Sequence, residues 1–117
     1  MFALFEYDLG KVVIDKEVIA KIAGVVAMGC YGVVGMAARN IKDGFVKLLG
    51  FENLTRGIDV EINDNKVSIK LHIVVEYGTN ISAIGESLMN TVKYKLEQFT
   101  GLKIENVLVM VEGLRVE

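Results

Sequence analysis

No proline and no tryptophan occur in this chain of 117 residues, and cysteine and histidine occur once each. A lone Cys30 excludes an intrachain disulfide framework and fits a reducing, cytoplasmic setting. One cysteine and one histidine, Cys30 and His72, also lack the spacing of a structural or catalytic metal set. Charge of one sign is missing as well: 13 basic against 15 acidic side chains leave a net charge of −2. Binding nucleic acid by counterion release needs a clustered basic surface, so nucleic acid is not the expected partner. No Gly-Lys-Ser/Thr follows any glycine pair, which removes the phosphate loop. The opening residues have neither the basic start nor the apolar centre of a signal peptide. The longest uncharged run, Ile22 to Ala38, is shorter than the roughly 20 apolar residues of a spanning helix and is broken by Gly24, Gly29, Gly32 and Gly35.

What is present is apolar material, 52% of the residues, enough for one core in a single domain over residues 1–117. The most informative stretch is Val67 to Tyr77. Val67, Ile69, Leu71, Ile73, Val75 and Tyr77 occupy every second position, the signature of a strand with one buried face. Ile58, Val60 and Ile62 alternate in the same way, and Asn63-Asp-Asn-Lys66 supplies the turn of a hairpin. Gly10–Ile14 reads as a first strand. Asp15 then caps a helix carrying Val18, Ile19, Ile22, Val25 and Val26 as its apolar stripe and ending near Gly29.

Val33–Ala37 reads as a buried strand, and Ile41–Leu54 as a short amphipathic helix or helical turn. Ile81, Ile84, Leu88, Val92, Leu96 and Phe99 define a long helix capped by Asn80 and stopped by Gly101. Leu102–Val111 is the last strand. The expected fold is α/β (α+β): a two-layer sandwich with two long helices on one face of a mixed sheet, in the order β-α-β-(short α)-β-β-α-β.

The last strand breaks the rule of one apolar face. If Val107, Val109 and Val111 face the helices, Leu108 and Met110 face the other way, where Val74 joins them. Either these residues form a small surface patch, or the Ile41–Leu54 segment covers them, or they mark an interface, because large apolar patches seldom stay bare. Val74, Leu108 and Met110 are the candidate interface residues.

Chemistry is harder to find. His72 reads as a solvated strand histidine, Cys30 as a small core residue, and Asp59 and Glu61 as solvated positions on one strand face. No nucleophile has a base in reach, so no catalytic, cofactor-binding or metal-binding residue is assigned. Gly29-Cys-Tyr-Gly32 and Gly32-Val-Val-Gly35 match the Gly-x-x-Gly clamp of KH-type RNA-binding modules, the alternative function. Neither holds a basic residue, and close helix–strand approach explains the glycines as well.

Four stretches together resemble the alkaline-shock-protein family, also called the general-stress or envelope stress response family, of mostly Gram-positive bacteria. They are Gly10–Ile14 with Val18–Gly24, Gly32–Met36, Ile73–Ile81, and Thr100–Leu102 with Val107–Gly113. The Val-Glu-Tyr-Gly-x-Asn-Ile string, which ends the long strand and opens the second helix, is the most specific of these. The resemblance implies a cytoplasmic, non-catalytic protein without a cofactor, which self-associates as a homo-oligomer or docks on a membrane-anchored protein or a lipid-synthesis enzyme. It carries no catalytic residue over. Tyr77, Gly78 and Asn80 match the family string, and each has a structural role: strand end, turn and helix cap.

Overall fold

In the computed structural model, which describes residues 1–37 and 51–116, the chain runs β1 (Phe2–Tyr7), β2 (Gly10–Asp15), α1 (Lys16–Met28), β3 (Val33–Met36), a 3-10 helix (Phe51–Gly57), β4 (Ile58–Asn63), β5 (Lys66–Glu76), α2 (Ile81–Thr100) and β6 (Lys103–Arg115). The two-layer α+β architecture expected from periodicity is the one observed, with an extra strand at the start. β1 carries the apolar run Phe2-Ala-Leu-Phe5, whose lack of alternation hid it in the sequence. Residues 41–50 of the expected Ile41–Leu54 helix lie outside the described residues, and Phe51–Gly57 is 3-10 helical.

β5 is the centre of the main sheet. Along its first half it pairs antiparallel with β4, from Ile58 opposite Leu71 to Asn63 opposite Lys66. Its second half pairs antiparallel with β3 on the same side, Met36 lying opposite Ile73. On its other side β6 runs parallel along the whole of β5. The period of two has its expected consequence: Val67, Leu71, Ile73 and Val75 are 0% exposed and Ile69 is 2%. Full burial of side chains of this size stabilises by about 1.5–3 kcal/mol each. The β4–β5 turn has positive φ at both central residues, 51° at Asp64 and 61° at Asn65, the geometry that suits tight hairpins.

α1 and α2 lie on one face of this sheet, α1 against β3 and β4, α2 against β6. Asp15 caps α1 by accepting from the Glu17 amide, as expected. The buried stripe of α1 differs from the expected one. It consists of Ile19, Ala20, Ala23, Gly24 and Ala27, while Val18 is 49% and Val25 46% exposed. The reason is the closeness of approach. A Cβ on Gly24 would lie 3.1 Å from both Leu54 Cβ and Ile58 Cδ1, so small residues define the contact. In α2, Ile84, Leu88, Val92 and Leu96 are buried as expected, whereas Ile81 and Phe99 at its two ends are 41% and 62% exposed.

β1 and β2 form a separate antiparallel hairpin. An isolated two-stranded ribbon is marginal in water, so its attachment matters. The side chain of Asn65 supplies one: Asn65 Oδ1 accepts from the Leu4 amide at 3.0 Å, and Asn65 Nδ2 donates to the Leu4 carbonyl at 2.6 Å. The side-chain amide thus completes β1 as a neighbouring strand would. Asn65→Gly keeps the positive φ of the turn but removes the clamp. It is expected to lower stability by about 1–2 kcal/mol in urea titration and to speed amide exchange selectively within Phe2–Tyr7.

Candidate functional site

The face of the sheet away from the helices holds the side chains that the alternation of β5 sends outward. Paired residues of adjacent strands point the same way, so Leu108 stands beside Lys70 and Met110 beside His72. Leu108 is 50% and Met110 38% exposed. Val74 lies on this face next to Gly113 but is only 8% exposed, so it offers little surface. Beside Leu108 opens a groove of about 620 Å³ whose outward-facing lining is Asp59, Glu61, Ser68, Lys70, Asn106 and Leu108. An apolar edge thus borders a floor of mixed charge.

His72 is not the solvated histidine that its position in the sequence suggested. It is 7% exposed and held between two carboxylates from the flanking strands. Its Nδ1 is 3.1 Å from Glu112 Oε1 and its Nε2 is 3.4 Å from Asp59 Oδ2. Glu112 reaches this place because the register of β6 slips between Ile73–Val111 and Val74–Gly113, which makes Glu112 the extra residue of a bulge. The Asp59–His72–Glu112 row ties β4, β5 and β6 together on the open face. The two nitrogens point in opposite directions, so no one ion reaches both carboxylates through the ring. Among the described residues no group of His, Cys, Asp and Glu is placed to hold a metal.

Sequence reasoning missed this row because its members are 13 and 40 residues from His72 along the chain. The one local signal was Glu112-Gly113, which ends the apolar run Val107–Val111 within the strand. Asp59 is half-buried beside the exposed Glu61, so only Glu61 keeps the solvated character expected of both.

The family-motif residues form the joint between β5 and α2. The Tyr77 amide donates to the Arg115 carbonyl at 3.0 Å, while the Tyr77 ring is 67% exposed. Gly78 has φ +90°, which favours glycine. Thr79 Oγ1 donates to the Glu76 carbonyl, and Asn80 Oδ1 accepts from the Ala83 amide at 3.0 Å to cap α2. The Gly29–Gly32 loop joins a helix to a strand rather than two helices as in a KH clamp. Gly32, at φ +84°, sits where a Cβ would run into the Ile84 side chain. Close packing accounts for that glycine.

Cys30 is half-buried, and its thiol donates to the Val26 carbonyl at 3.4 Å. Burial pushes its pKa up, and a hydrogen bond with the Thr91 side chain pulls in the opposite direction without cancelling that shift. No helix among the described residues is long and apolar enough to cross a membrane.

The model of the alkaline shock protein 23 family, described as having a cell envelope-related function, matches residues 5–116. The chain is 43% identical over 108 residues to the uncharacterized protein YloU of Bacillus subtilis (strain 168), covering 92% of this chain and 90% of that one. It is 31% identical over 109 residues to a stress response regulator gls24 homolog of Streptococcus pyogenes, covering 91% of this chain and 59% of the relative. Variants of the MamM CTD share the fold alone, with a TM-score of 0.52 at 13% identity, covering 84% of this chain and 94% of that domain.

The His72 row and the surroundings of Cys30 can each be tested. His72→Ala leaves Glu112 and Asp59 facing each other without the bridging ring, and is expected to cost about 1–3 kcal/mol at pH 7 in chemical denaturation. Glu112→Gln, which still offers an acceptor oxygen, is expected to cost less. With its pKa raised, Cys30 carries less thiolate than a free thiol at any pH below its titration. Its reaction with a disulfide reagent is expected to be slower than that of a small-molecule thiol at pH 8. The rate is expected to keep climbing with pH after the small thiol has levelled off.

Proposed function

The chain belongs to the alkaline shock protein 23 family, and from that membership we propose that it is a non-catalytic accessory protein of the cell envelope that works by binding proteins. The observation that carries this reading is the pair Leu108 and Met110, half-exposed on the open face of the sheet beside a mixed-charge groove. An apolar edge with a polar rim is the pattern of a protein-binding surface. The name of the gls24 relative, a stress response regulator homolog, adds the setting of stress. In this reading the protein acts from the cytoplasm, self-associating or docking on a membrane-anchored protein or an enzyme of lipid synthesis.

Crosslinked affinity capture of the tagged protein in a related Gram-positive bacterium, read by mass spectrometry, tests the proposal. Recovery of a membrane-anchored protein or a lipid-synthesis enzyme is expected, with the signal lost in Leu108→Lys/Met110→Lys. Recovery that is unchanged in a folded double variant would remove this surface from the function. Recovery of RNA-associated proteins instead would replace the envelope reading.

A further inference from the structure

We propose that the outer edge of β6 is the seam of a symmetric homodimer, in which two copies pair antiparallel about Val109 to continue one sheet through both molecules. The inference rests on the reading of this protein as one that acts by binding, and it names a second copy as the occupant of that edge.

Among the described residues β6 pairs only with β5, and no described strand lies along its other edge. The exposure pattern shows on which side a neighbour is missing. Leu108 and Met110, on the open face, are 50% and 38% exposed, yet Val111, on the helix side, is also 38% exposed. A bare face calls for a cover, whereas a margin open on both faces calls for a lateral neighbour. α2 adds to the same margin. Thr91 bonds the Cys30 thiol beyond the end of α1. Met89, two residues earlier, therefore falls on the opposite flank of α2, and it is 38% exposed.

Edge strands are ordinarily guarded by charges, proline or bulges. Here the chain has no proline, and both register slips of β6 lie at the ends of its central stretch, at Glu105 and Glu112. Glu112 is turned inward to His72 and does not guard the rim. Between the bulges Asn106–Val111 carries no charge, the composition that pairs readily with another strand.

A second copy is favoured because the stretch is self-complementary, as a two-fold interface requires. Val107-Leu108-Val109-Met110-Val111 alternates β-branched valines with longer side chains that are not branched at Cβ, in the same pattern in both directions. Antiparallel pairing centred on Val109 sets Leu108 against Met110 on the open face. On the helix side it sets Val107 against Val111, with Val109 meeting its own counterpart at the axis. Cross-strand apolar pairs of this kind are what stabilise an antiparallel ladder.

Sedimentation equilibrium of the full chain tests the seam and its register. The wild-type protein is expected to be a dimer, and Leu108→Lys/Met110→Lys a monomer with unchanged far-UV circular dichroism. Leu108→Lys/Met110→Glu is expected to dimerise at least about tenfold more tightly than the double-lysine variant. In this register the new lysine of one copy faces the new glutamate of the other. Should the variants fail to fold, amide exchange on the wild-type protein decides: Asn106–Val111 should gain protection as concentration rises. A wild-type chain that stays monomeric at about 100 µM, or a lysine–glutamate variant no tighter than the double-lysine one, overturns the proposal. A monomer that still captures its envelope partner would end the seam and leave the binding function standing. A dimer that captures none would do the reverse.

Discussion

Every strand of the main sheet is held through β5. One side of it carries β4 and then β3, the other carries β6, and its inner face is sealed by the two helices. The alternation of Val67, Ile69, Leu71, Ile73 and Val75 pins the register, because a slip of one residue would turn all five into solvent and bring Lys70 and His72 into the core. Once that register is set, the position of each outward side chain follows. The candidate surface is therefore a consequence of how β5 buries its other face.

The helices constrain the same sheet from above. α1 lies so near Leu54 and Ile58 that its buried stripe is alanine and glycine apart from Ile19, and Val18 and Val25 remain at the surface. A sequence pattern weighted by hydrophobicity picks the valines, since it measures apolar size and not distance of approach. α2, by contrast, sits over β6 with a stripe of ordinary leucine, isoleucine and valine, and from Ile84 to Leu96 the pattern and the packing agree. The difference lies in the spacing between layers, a quantity that no local window contains.

The open face combines two unlike regions. Around His72 it is tied down, with carboxylates from two neighbouring strands on either side of a buried ring. Toward the margin of β6 it is apolar and half-exposed. The bulge at Glu112 links the two: it brings a charge inward to the histidine and takes that charge away from the rim. The tied-down centre and the apolar margin thus lie side by side on one face, both set by how β6 is registered against β5.

Much of this was legible in the residues themselves. The period of two in β5, the Asp15 and Asn80 caps, the stop at Gly101 and the opposite facing of Val107 and Leu108 are local, dictated by backbone geometry and the direction of successive side chains. Family membership was legible for the same reason, since the Val-Glu-Tyr-Gly-x-Asn-Ile string packs a strand end, a glycine turn and a helix cap into consecutive residues. The tertiary structure alone decided the rest. It paired β6 parallel to β5, clamped β1 through Asn65, and enclosed His72 between Asp59 and Glu112. Those contacts join residues far apart in the chain, and their energies depend on which strands become neighbours, which only the folded sheet determines.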